Sequence, residues 1–230
     1  MTAARDLADR FHERWLHANP FAATMYGIPG YDDLLPDDSA EGQQAWRAEA
    51  SRFLDEAAEI GQGQLTSADA VTLDCTTQAA TQEVTGVDMA ADEHTVTAMQ
   101  YSGPAMFLAA AARTVLVDEK AAEDYLTRVR GSGTWLDQVT ERLRAGASAG
   151  RLPVAPLAKQ ALSWAEAVLA APETSPILAP QPPQGWDRVT AWEDERRAAV
   201  ADVVHPALAR WTDTVRDLLP KARPAEHAGL

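Results

Sequence analysis

The sequence is poor in cysteine, in positive charge and in unbroken apolar runs. Cys75 is the single cysteine among 230 residues, which excludes a disulfide framework and a cysteine-based zinc site within one chain. Lys and Arg number 20 against 34 Asp and Glu, a formal net charge of −14. A field of that sign repels phosphate backbones and anionic lipid surfaces, so neither nucleic acid nor membrane is an expected partner. The longest apolar run, Ala105 to Ala112, is cut by Arg113, far short of the roughly 20 residues that cross a bilayer. The first turns carry acids and no apolar stretch of the secretory kind, so the expected location is the cytoplasm. Alternating runs of Val, Ile and Thr, the mark of strands, are scarce.

Helical periodicity is present almost everywhere, and 46% hydrophobic residues supply a sizeable core. The pattern predicts an all-α fold: an irregular multi-helix bundle of about seven helices with one long kinked C-terminal helix. Residues 1–219 read as a single domain and 220–230 as a flexible tail or linker. Leu7, Phe11 and Trp15 line one stripe of a first helix that Asn19-Pro20 ends. Asp38 or Ser39, with Glu41 in a capping-box position, starts a helix to about Ile60, closed by Gly61 and Gly63. Ser67 opens a third helix to about Val87, and residues 88–102 read as coil. Pro104 starts a short, strongly apolar helix. Asp118 caps the next, with Gly131 and Gly133 as an expected kink. Pro156 starts another, and Pro172 to Pro183 reads as a surface connector. A Thr190–Glu193 capping box then opens the last helix, kinked at Pro206.

The local motifs are weak. His12 and His17 are five residues apart, which on a helix separates them by about 140°, whereas a zinc helix needs the i, i+4 spacing. They read as surface histidines. Asp32, Asp33, Asp37, Asp38 and Glu41 lack the alternation and central glycine of a calcium loop and read as a solvated turn with helix caps. Asp88, Asp92, Glu93 and His94 place carboxylates beside an imidazole, the raw material of acid–base chemistry, without a nucleophile nearby. Cys75, with no basic neighbour, reads as a small buried residue. Ser132 and Ser102 have Arg130 and Gln100 where a serine-hydrolase elbow needs glycine. The seven tryptophans read as core.

The stretch from Pro20 to Ser39 stands apart, because it mixes aromatics with acids between Gly27, Pro29, Gly30 and Pro36. Together with Asn19 it resembles the opening of the bacterial family known as domain of unknown function 885, in the segments Asn19–Gly27 and Tyr31–Ser39. Tyr125–Arg130, Gly146–Leu152, His205–Trp211 and Leu218–Pro224 resemble the same family in the same order. The resemblance implies a largely helical protein related to zinc carboxypeptidases and oligopeptidases, with a His-Glu-x-x-Pro-Gly-His helix in a C-terminal half. No such helix occurs here, so the chain corresponds to the N-terminal half. Catalytic residues and metal ligands are therefore expected to be none in this chain, with zinc only in the missing half. The implied partner is a peptide or small-molecule substrate, received with that half present. Tyr26, Tyr31, Asp32 and Asp33 are the candidates to face a substrate cleft. A stand-alone helical protein-binding module is the alternative.

Overall fold

A computed structural model describes residues 2–61, 65–100 and 103–227, and among these the fold is all-α. The expected helix stop at Gly63, the excluded Ser102 and the last three residues lie outside the described residues. Helix α1 (Ala3–Ala18) buries Leu7 and Phe11 on its predicted stripe. Pro20 then both ends α1 and begins α2 (Pro20–Met25), a short helix inside the stretch that sequence alone reads as irregular. Its fixed φ forbids continuation of one helix and suits the first position of another.

Helix α3 (Ala40–Glu59) is capped by Ser39, whose hydroxyl accepts the Gly42 N–H at 3.0 Å. Helix α4 (Ser67–Asp88) is capped in the same way by Thr66, which accepts the Asp69 N–H at 3.2 Å. These two helices and α1 pack around Leu7, Phe11, Phe53, Leu73 and Ala80. Asp69, Leu73, Thr76 and Ala80 form the inner stripe of α4. Cys75, one residue and about 100° from Thr76, is exposed rather than the buried residue expected.

Helix α5 (Gly103–Arg113) is buried on most sides, as its apolar content predicts. Helix α6 (Glu119–Ser148) starts at Asp118, whose carboxylate accepts the Ala121 N–H at 2.8 Å, a cap worth about 1 kcal/mol. It runs unbroken for 30 residues, about 45 Å, through Gly131 and Gly133, where a kink is expected from sequence. Those glycines serve close packing. A Cβ at 131 would come within 2.9 Å of the Leu35 side chain, and one at 133 within 2.7 Å of Val203. A Cβ at Gly146 would collide with the Glu93 carbonyl. Helix α7 (Ala155–Ala170) follows.

The proline-rich connector is anchored, because Ile177 is buried and its carbonyl accepts the Tyr125 hydroxyl at 2.8 Å. Helix α8 (Val189–Ala199) begins one residue before Thr190 with no side-chain cap, so the expected capping box is not used. Trp192 is fully buried there, and its indole donates to the Ala122 carbonyl at 2.9 Å. The predicted kink takes the form of a π turn, Val200–Val204, leading into α9 (His205–Leu218). Pro206 has no N–H for the preceding turn, and a wider turn absorbs the missing bond. Past α9 the main chain holds Arg223 to the α6–α7 loop. Arg223 N–H donates to the Pro153 carbonyl and the Ala155 N–H to the Arg223 carbonyl, both at 2.8 Å.

Candidate functional site

A solvent-open cleft of about 540 Å³ lies where the α1–α2 corner, the loop before α3, α3, α4 and the start of α5 converge over Trp135 of α6. Its acids come from separate stretches of chain: Asp37 and Asp38 from the loop, Glu49 from α3, Glu83 from α4, and Asp92 from a 3-10 turn (Ala91–Glu93). Arg14 is the lining arginine, and it is already committed to Glu49 through two hydrogen bonds of 2.6 and 3.0 Å.

Glu83, Asp38 and Asp37 are held by neutral donors. Glu83 accepts the Trp15 indole N–H at 2.7 Å on one oxygen and the Trp46 indole N–H at 2.8 Å on the other. Asp38 accepts the Trp135 indole at 2.6 Å and the Gln43 amide at 3.1 Å. Asp38 is therefore not the helix cap offered as one choice by sequence; its side chain turns inward.

This environment shifts both groups in one direction. Burial pushes the Asp38 pKa up to about 6, against the lowering effect of the Trp135 hydrogen bond, and the charge of Asp92 raises it further. Burial also raises Asp92, opposed by the Arg142 charge and the Gln43 amide and reinforced by Glu83. Asp92 keeps its surface open to solvent although protein crowds around it, so Asp38 is the more strongly perturbed of the two. A carboxyl near 6 can exchange a proton close to neutrality.

The chain turns sharply between Asp88 and Glu93, with Ala90 at φ +49° in the left-handed region. That turn divides the acids that sequence groups with His94. Asp88 pairs with Arg47 at 2.5 Å on the surface. Asp92 lines the cleft. Glu93 is buried against α6 between Arg142, at 2.9 Å, and Arg151. His94 does not line the cleft, and its Nδ1 is buried without a hydrogen-bond partner.

The four candidates from sequence gather beside the cleft without lining it. Tyr26 is exposed and its ring lies 6.4 Å from that of Trp15. Tyr31 meets the His17 ring edge-on at 5.1 Å, and its carbonyl accepts from Arg128. Asp32 accepts the Thr24 hydroxyl at 2.7 Å and lies 3.5 Å from the Arg128 guanidinium. Asp33 is exposed. Arg128, wholly buried, also donates to the Leu34 carbonyl at 2.9 Å and the Thr24 hydroxyl at 2.8 Å. It pins the loop that carries Leu35, Asp37 and Asp38 into the cleft.

Glu83 and Gln43 escape the sequence reading, since neither belongs to a local motif. One signal was available for the first: α4 contains Asp69, Asp74, Glu83 and Asp88 but no Lys or Arg, so a partly buried acid on it must find a partner elsewhere. Zinc does not fit here. His12 and His17 lie on the surface of α1, and no three His, Cys, Asp or Glu among the described residues converge on one metal position.

The architecture and the cleft define a class: an all-helical domain whose recess is built from long-range contacts and lined by acids and indoles. The chain belongs to the family described as "Bacterial protein of unknown function (DUF885)", whose model matches residues 20–229. The crystal structure of "the putative lipoprotein from Colwellia psychrerythraea" is similar in fold, with a TM-score of 0.75 at 18% sequence identity. The similarity covers 96% of this chain and 42% of that one, so the chain spans less than half the length of that relative. No protein with curated annotation matches.

Proposed function

We propose that this chain is the helical N-terminal half of a longer metallopeptidase-like hydrolase, inactive alone, and that its cleft forms one wall of the channel for a peptide or small-molecule substrate. The cleft carries this reading: it is wide, open, and presents polar groups together with the perturbed carboxyl of Asp38. The fold match to less than half of a longer protein supports it. In this reading zinc and the general base belong to the other half, and Tyr26, Tyr31, Asp32 and Asp33 support the wall through the Arg128 loop.

The test compares this chain with a full-length member of the family on a mixed peptide library. The chain alone releases no products, with or without added zinc, and the full-length protein releases products that a chelator abolishes. Replacing the residues aligned with Asp38 and Trp46 raises KM while leaving metal content unchanged. Hydrolysis by the isolated chain that survives chelation overturns the reading. A second reading, a helical protein-binding module, draws on Val115 and Val117, 72% and 76% exposed between α5 and α6. A partner that is lost on the double change to Ser favours it, and a monomer that captures nothing removes it.

A further inference from the structure

Helix α4 is packed on one side only. Its inner stripe of Asp69, Leu73, Thr76 and Ala80 is buried toward α1 and α3. About 180° around the helix, a second stripe of Val71, Cys75, Gln78, Gln82, Thr85 and Met89 is exposed at every position. The steps along it alternate four and three, the spacing of a seam that meets a partner lengthwise. None of these residues is charged. Other surface helices keep charge toward water: α1 exposes Arg5, Asp9 and Glu13, and α9 exposes Arg210, Asp213 and Arg216. A helix without a charged face is ordinarily covered on both sides. Val71 and Met89 are nevertheless 61% and 48% exposed, and Cys75, of a type usually buried, lies open between them.

We infer that the outer stripe of α4 is the seat of the other half of the longer protein, which lies along this helix and borders the cleft. The inference rests on the reading of this chain as an N-terminal half, and it adds the surface by which the halves meet.

Three observations select this occupant. The fold match covers 96% of this chain and 42% of the longer relative, so more than half of that relative is chain with no counterpart here, tethered to this fold at high local concentration. The stripe also runs into the rim of the cleft. Gln82 belongs to both, and Gly86 and Val87 of the next turn line the recess, so a body seated on the stripe reaches the cleft. A second copy of this chain fits poorly. A two-fold contact sets α4 against itself, and this helix holds Asp69, Asp74, Glu83 and Asp88 with no Lys or Arg. Two chains that each carry a net charge of −14 then meet through their most one-signed helices, where like charges suppress pairing.

The experiment compares maleimide labelling on this face in two proteins. In this chain, Cys75 is labelled within about tenfold of its rate in the urea-unfolded chain. The second protein is a full-length family member freed of its own cysteines, with one cysteine substitution at the position aligned with Cys75 or, in a separate variant, at that aligned with Gln78. There each thiol is labelled about a hundredfold more slowly in the folded than in the unfolded protein. Circular dichroism checks that both variants are folded, and the Gln78 position preserves the test if the other variant is not. Labelling within about tenfold of the unfolded rate at both positions of the full-length protein overturns the inference. Slow labelling of Cys75 in this chain alone, with a dimer in sedimentation, overturns it in favour of a second copy; slow labelling in a monomer overturns it by showing that the face is already covered. No substrate enters this measurement. Open positions together with chelator-sensitive hydrolysis by the full-length relative therefore remove the seat and leave the hydrolase reading intact. Protected positions with no hydrolysis by that relative keep the seat and remove the hydrolase.

Discussion

Glu83 and Glu93 are ten residues apart and solve the same problem in opposite ways. Both carboxylates leave bulk water. Glu93 goes under α6, where Arg142 and Arg151 balance its charge and the Gly146 backbone lets it approach. Glu83 faces the cleft, where Trp15 and Trp46 satisfy its oxygens and leave its charge in place. The turn through Ala90 separates the two environments. The difference teaches that hydrogen-bond satisfaction and charge balance are separate quantities. Where both are met, the acid is part of the scaffold; where only the first is met, the acid keeps its charge without a cation beside it.

The comparison breaks most visibly at the opposite charge. Arg128 is a buried cation served chiefly by carbonyls and a hydroxyl, and Arg128→Met orphans those acceptors and frees the loop to Asp38. The expected loss is about 4 kcal/mol in urea denaturation, and a loss under about 1 kcal/mol would show that the loop is held by other contacts. Glu93→Ala leaves Arg142 buried without its partner and costs about 3 kcal/mol by the same measurement. If it costs no more than a surface substitution, the scaffold role assigned to Glu93 is wrong.

The pH dependence sharpens the contrast. Asp38 has a folded pKa raised to about 6 by burial, so between about pH 4 and 6 the native state binds more protons than the unfolded chain. Its contribution therefore favours folding at low pH, is lost as pH rises through that window and stays lost above it. Relative to Asp38→Asn, the native protein should lose on the order of 2 kcal/mol between pH 4 and 7.5. A constant difference across the range contradicts the burial of that carboxyl. The smallest effect belongs to Glu83→Gln, which keeps one acceptor for the two indoles. It should change stability by about 1 kcal/mol. A large loss of stability would move Glu83 into the same class as Glu93.

The helices were legible because their signals are local. Asp118 and Ser39 cap where short polar residues precede apolar periodicity, and Pro104 and Pro206 act through their own missing N–H. The glycines of α6 have a role that local signals do not show. A helical glycine looks like a weak point by propensity, whereas at 131, 133 and 146 its value is the space it leaves for a distant residue. Sequence places Arg128 only within a family motif, since burial of a cation depends on carbonyls nearly a hundred residues earlier. The cleft was legible in fragments. Asp37, Asp38 and Asp92 were noticed as acids, but their meeting with Glu83 requires the packing of α3 on α4 and the turn at Ala90. Tyr26, Tyr31, Asp32 and Asp33 drew attention as an odd mixture, and that mixture surrounds the Arg128 anchor.

The π turn between α8 and α9 bears on how this protein can change its length. Five residues, Val200–Val204, occupy a wider loop of helix than the usual 3.6 per turn, so the helix carries one residue beyond what its axis needs. Removing a residue from that turn would restore ordinary winding and leave Trp192 and Trp211 on the faces they now bury. The same deletion one turn further along α9 would swing Trp211 and Val215 about 100° away from α6 and α7. Single-residue gaps in the α8–α9 ribbon are thus tolerable at one place, and the proline two residues downstream marks it.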